Sequence, residues 1–280
     1  MKIKGNMKMG KRLTVKDSLF KKLFGSPEYK ENALSLYNAL NHSHYSDPDA
    51  LEFTTIENFF FMSIRNDVSF LLSDVLSLYE HQSTYNPNMP VRGLFYFSEH
   101  YQKLIQTRPR GRREIYGRKI IRLPTPRYVV LYNGIEERPE REILKLSSAF
   151  IHQDQDPYLE CKVLMLNINS GKNRELLAAC RPLEEYSIFV EKCREYVKIY
   201  SESKAVQMTI SYCRENNILT EFLNEHEMEA YSMDLFRQMT LEEEMQIRLA
   251  NAADEGFEEG FERGEKAGFK QGEQAGFKQG

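Results

Sequence analysis

Residues 58 to 83 contain three β-rich stretches, NFFFMSI, DVSFLL and VLSLYEHQS, separated by the residue pairs Arg65-Asn66 and Ser73-Asp74. Two-residue connections leave neighbouring strands no arrangement but antiparallel, because a parallel return needs a crossover of a dozen or more residues. The spacing therefore predicts a three-stranded meander. The next stretch, PNMPVRGLFYFSEHYQKLI, has helical spacing, and PRYVVLYNG is a continuous apolar run bounded by Pro and Gly, as a strand covered on both faces requires. Two short helices are expected ahead of the meander. Asp17 can cap the first, with Leu19, Phe20, Leu23 and Phe24 on one face, and Ser26 with Pro27 can start the second, whose stripe is Ala33, Leu34, Tyr37 and Leu40. The order is helix, three strands, helix, strand, an α/β (α+β) class.

Across 280 residues, 41% hydrophobic and 12% aromatic composition provides enough apolar surface for a substantial core. No apolar run reaches the roughly 18 residues of a membrane span, and the basic start lacks the apolar stretch of a secretory signal, so the expected compartment is the cytoplasm. Cys161, Cys180, Cys193 and Cys213 lie far apart without CxxC pairing, which argues for reduced structural thiols over a zinc site or disulfide framework.

The polar residues of the meander point to chemistry. Glu80 and Gln82 are two apart on a strand and share a face, while His81 points to the other. A turn at Ser73 and Asp74 brings Asp67 alongside Glu80. Two convergent carboxylates suit a hard divalent cation such as Mg²⁺, which is held by one or two carboxylates together with water and phosphate oxygens. In the purely structural alternative, Asp67 caps a turn and Glu80 lies on a solvent-facing edge.

Charge is unevenly distributed. From Lys103 to Arg127 nine Lys or Arg face a single acid, Glu114, a local charge of +8 in a chain whose total is −3. At its centre, TRPRGRREIYGRK has the composition of an exposed loop. Arg108, Arg110, Arg112, Arg113, Arg118 and Lys119 are candidates for contact with a DNA phosphate backbone, expected beside the acids. A solvated basic loop is the alternative.

In NDVSFL, LYEHQSTYNPNMP, PTPRYVVLYNG and LECKVLMLNINSGKN the chain resembles the bacterial recombination-promoting nuclease/transposase family of the PD-(D/E)XK nuclease superfamily, over about residues 15 to 200. The most specific part is Asp67 followed thirteen positions later by Glu80-His81-Gln82. The resemblance implies a restriction-endonuclease-like core and Mg²⁺-dependent DNA endonuclease activity connected with recombination or mobile elements. Asp67 and Glu80 would be the metal ligands and Gln82 would stand where the superfamily has lysine. Asp17 would be an accessory acid, besides its capping role. A glutamine amide offers dipolar hydrogen bonds and cannot act as a base, so Gln82 would orient water. The alternative is a DNA-binding or assembly protein on the same scaffold with weak or lost catalysis.

The expected organisation is a basic arm over 1–14, a nuclease-like domain over 15–170, a helical appendage over 171–253 and a glycine-periodic tail over 254–280. From Gly256 to Gly280 a glycine falls every fourth residue. That stripe suits close helix contact and hence homo-oligomer formation, but glycine costs roughly 1 kcal/mol per position relative to alanine, so a helix there needs a partner.

Overall fold

Strand β2 (Val68–Leu72) turns directly into β3 (Val75–Gln82), and the two pair antiparallel in the register Val68↔Tyr79 to Leu72↔Val75. The turn residues Ser73 and Asp74 both have positive φ, 46° and 60°. This is the left-handed pair that matches the twist of a two-residue hairpin, and short polar side chains tolerate it better than bulky ones. The architecture is that of a computed structural model, which describes residues 19–54 and 67–225, all of them within the unit Met1–Phe236.

Helices α1 (Leu19–Gly25) and α2 (Lys30–Asn41) open the fold. They are joined by a 3₁₀ turn with Pro27 at its start, where Ser26 Oγ accepts from the Glu28 backbone N–H at 3.3 Å. Leu19, Phe20, Leu23 and Phe24 are buried as the spacing predicts, as are Ala33, Leu34 and Tyr37, while Leu40 is half-buried. A short strand β1 (Glu52–Phe53) pairs antiparallel with β2. The stretch NFFFMSI, expected as the first strand of the meander, lies outside the described residues, as do Asp17, the basic arm and the tail.

Helix α3 (Met89–Gln106) carries the chain from β3 to β4 (Thr125–Tyr132), which runs parallel to β3. Strand β5 (Arg141–Lys145) and strand β6 (Lys162–Asn167) complete a six-stranded sheet of order β1-β2-β3-β4-β6-β5, with β6 parallel to β4 and β5 antiparallel on the far edge. This is a mixed sheet with helices, so the α/β class holds. Strand β5 is an element that the sequence pattern did not predict.

The two faces of the sheet have different covers. On one, Leu78, Tyr128, Val130, Tyr132, Val163 and Met165 pack beneath Met89 and Tyr96 of α3. On the other, the His81 ring meets Phe20 of α1 at 5.9 Å and Tyr186 of α5 (Arg181–Val197) at 5.3 Å between ring centroids. Helix α5 therefore shares the core of the sheet. It follows α4 (Arg174–Ala179) and is succeeded by α6 (Glu202–Glu215) and α7 (Thr220–Glu225). All four cysteines are free and buried, consistent with structural thiols.

Candidate active site

Glu80 lies on β3, an interior strand flanked by β2 and β4, and its side chain is 1% exposed. The reading of Glu80 as a residue on a solvent-facing edge is thereby overturned. Its registered neighbour on β4 is Val130, and the face it shares with Leu78 and Gln82 is roofed by α3. A carboxylate sunk among Leu, Val and Tyr side chains loses hydration, which costs several kcal/mol unless other groups compensate.

Four groups do so in part. Arg92, in the first turns of α3, places Nη2 2.9 Å from Glu80 Oε2. Gln82 Nε2 donates to the same oxygen at 3.3 Å. The Tyr128 and Tyr96 hydroxyls lie near enough to favour the charged carboxylate, although neither the Tyr128 hydroxyl nor Glu80 Oε1 makes a hydrogen bond of proper geometry. Burial nevertheless dominates and pushes the Glu80 carboxyl up to about 7, with Arg92 opposing the shift and Asp67 adding to it by like-charge repulsion.

Asp67 immediately precedes β2, so continuing the Val68↔Tyr79 register sets it across from Glu80. Its Oδ2 accepts from the His81 backbone N–H at 2.9 Å, at a point on β3 beyond the partner of Val68, the first residue of β2. The side chain thus extends the strand ladder, satisfying an amide that the short partner strand leaves over. The structure brings Asp67, Glu80 and Gln82 together at the same end of the hairpin. His81 takes no part: burial lowers its pKa to about 3, leaving the imidazole neutral among aromatic rings.

The donor set is chemically hard, two carboxylates and an amide, and the buried Glu80 Oε1 has no hydrogen-bond partner. Those features fit an octahedral cation that keeps several of its waters, as Mg²⁺ does. They do not amount to a cage made wholly of protein ligands, since among the described residues no group of three or more His, Cys, Asp or Glu could hold a metal.

The basic segment is not beside these acids. It leaves the C-terminal end of α3 and enters β4 at Thr125, which pairs with Val75, whereas Glu80 pairs with Val130 five residues further along. At a rise of about 3.3 Å per residue the two lie roughly 17 Å apart along the strands. Arg110, Arg112, Arg113, Arg118 and Lys119 are exposed there, with Gly111–Tyr116 forming a 3₁₀ turn. Arg108 is half-buried and committed to the loop itself, pairing with Glu114 at 3.4 Å and donating to the Arg122 carbonyl.

Arg92, Tyr96 and Tyr128 were not anticipated as site residues. Their signal is Arg92 standing on the apolar stripe of an amphipathic helix, between Met89 and Tyr96, where a cation needs a buried partner. Compared with known proteins, the chain matches no family model, no curated protein and no solved structure.

Proposed function

We propose that this chain is an Mg²⁺-dependent DNA endonuclease, connected with recombination or mobile elements as its resemblance to that nuclease family implies. One observation carries the reading: Glu80, buried on an interior strand with Oε1 unpartnered, lies across the hairpin from Asp67 and beside Gln82. Nothing in the packing of a sheet calls for this placement, since an apolar residue at position 80 would cost less.

Asp67 and Glu80 would hold the ion. Its contribution there is a bound water of lowered pKa and neutralisation of charge on the phosphate under attack. Gln82 donates through Nε2 to Glu80, which leaves its carbonyl oxygen to accept from a water and orient it. The side chain is half-buried, so its amide keeps some contact with solvent. The exposed cations of the basic segment would hold phosphates distant from the cut, about five base pairs along at 3.4 Å per step.

The Glu80–Arg92 ion pair favours a second reading, a DNA-binding scaffold without strong catalysis, because a carboxylate already neutralised has less charge to offer a metal. Supercoiled plasmid incubated with the purified chain in Mg²⁺, and again in EDTA, separates the two. Nicking that EDTA abolishes supports the nuclease. DNA retention without nicking supports the scaffold.

A further inference from the structure

A site that attacks a phosphodiester gathers negative charge from three sources: its carboxylates, the phosphate and the incoming oxygen. Gln82 has no charge to set against it. Arg92 has. Its guanidinium is anchored on several sides, with Nη2 2.9 Å from Glu80 Oε2, Nη2 and Nε 2.7 and 3.2 Å from the Tyr96 hydroxyl, and Nη1 3.6 Å from Met89 Sδ. The side chain stays 26% exposed while Glu80 is 1% exposed, so Arg92 is a partner of the buried carboxylate that keeps some contact with solvent. By occupying Oε2 it leaves Oε1 as the oxygen without a partner.

We infer that Arg92 is the second cation of the site: it shares Glu80 with the divalent ion, fixing which carboxylate oxygen that ion can use, and offers its guanidinium to the phosphate oxygens as charge develops on them. Arginine suits the task because it stays charged when partly buried and its planar fork serves a carboxylate and a phosphate together. The inference rests on the nuclease reading for its second half only. The sharing of Glu80 stands or falls on metal binding alone.

The test uses the full chain as wild type, Arg92→Met, Arg92→Lys and the double variant Arg92→Met/Gln82→Lys, each checked for folding by circular dichroism. Calorimetric titration with Mn²⁺ in the absence of DNA reads the sharing, and plasmid nicking in Mg²⁺ reads the phosphate role. Removing a competing positive charge should tighten Mn²⁺ in Arg92→Met by roughly tenfold. Nicking should fall by about 100-fold, the usual loss when one donor to a developing oxyanion is removed. Arg92→Lys should keep more nicking than Arg92→Met but less than wild type, because it restores the charge without the planar fork, and the lysine at position 82 should restore part of what Arg92→Met loses by replacing the charge.

Binding and cutting moving in opposite directions is the signature. If Mn²⁺ affinity and nicking fall together, or Arg92→Met nicks like wild type, the inference is overturned. If Arg92→Met does not fold, Arg92→Lys decides: folded protein with unchanged Mn²⁺ affinity and abolished nicking contradicts a role for the charge. A wild type that never nicks defeats the nuclease reading, and the Mn²⁺ comparison then supports or overturns the sharing by itself.

Discussion

Arg92 Nη2 stands 2.9 Å from Glu80 Oε2, tying the start of α3 to the middle of a buried sheet. Such a pair stabilises little in net terms, because desolvating both charges offsets most of their attraction, yet breaking it leaves a buried charge without compensation. A cation–carboxylate pair retained at that position is better explained by what it positions than by what it stabilises.

Glu80 should make the protein lose stability as pH rises. Its carboxyl is pushed up to about 7 in the fold from an ordinary 4.5. Between these values the folded state keeps a proton that the unfolded chain has released. Stability is therefore greatest, as far as this group is concerned, below about 4.5, falls through the interval and levels off above about 7. The shift corresponds to about 3 kcal/mol in magnitude. Urea unfolding at pH 5 and pH 8 should show the decline in wild type and a flatter profile in Glu80→Gln; parallel profiles would mean that Glu80 titrates normally.

Gly93 should resist substitution. A Cβ there would lie 2.7 Å from Tyr128 Cδ1 and 3.0 Å from Cys161 Sγ, so α3 could not keep its present approach to β4. Alanine favours the helix by roughly 1 kcal/mol, but overpacking costs typically about 1–3 kcal/mol. Gly93→Ala is expected to lower the urea midpoint, and it should also reduce nicking by moving Tyr128 relative to Glu80. A midpoint equal to wild type would show that the helix slides without penalty.

The hairpin was readable from residues alone, since two apolar runs around Ser73 and Asp74 leave few alternatives, and the register that sets Asp67 beside Glu80 follows from that turn. Helix α3 and strand β4 were equally plain, one from its apolar stripe and the other from its uninterrupted Val and Tyr run. Strand β5 was not: Arg141 to Lys145 has charged residues at three of five positions, and it exists because an edge strand can present them to solvent. Nor could local pattern locate the basic segment, whose distance from the acids is fixed by the parallel pairing of β3 with β4 across α3. The burial of Glu80 and its bond to Arg92 depend on the same crossover, because a carboxylate on a strand is exposed until a helix covers it.

The exposed arginines of the basic segment should matter for DNA binding but not for folding. Every phosphate that a side chain no longer neutralises lowers the slope of log affinity against log salt by about 0.9. Duplex binding by an Arg110, Arg112 and Arg113 triple alanine variant, followed over a salt series, should be weaker with a shallower slope. Unchanged affinity and slope would identify a solvated loop.

The most direct measurement is plasmid nicking by Asp67→Asn and Glu80→Ala beside wild type, with folding verified and Mg²⁺ present. Both variants should lose Mg²⁺-dependent nicking while DNA binding survives or tightens, because an acid facing phosphates repels them when no metal intervenes. Asp67→Asn keeps an oxygen that can still accept from His81 N–H, so it removes charge while preserving the strand end. Folded Asp67→Asn protein that nicks as fast as wild type would contradict a metal site at Asp67 and Glu80, and with it the nuclease account.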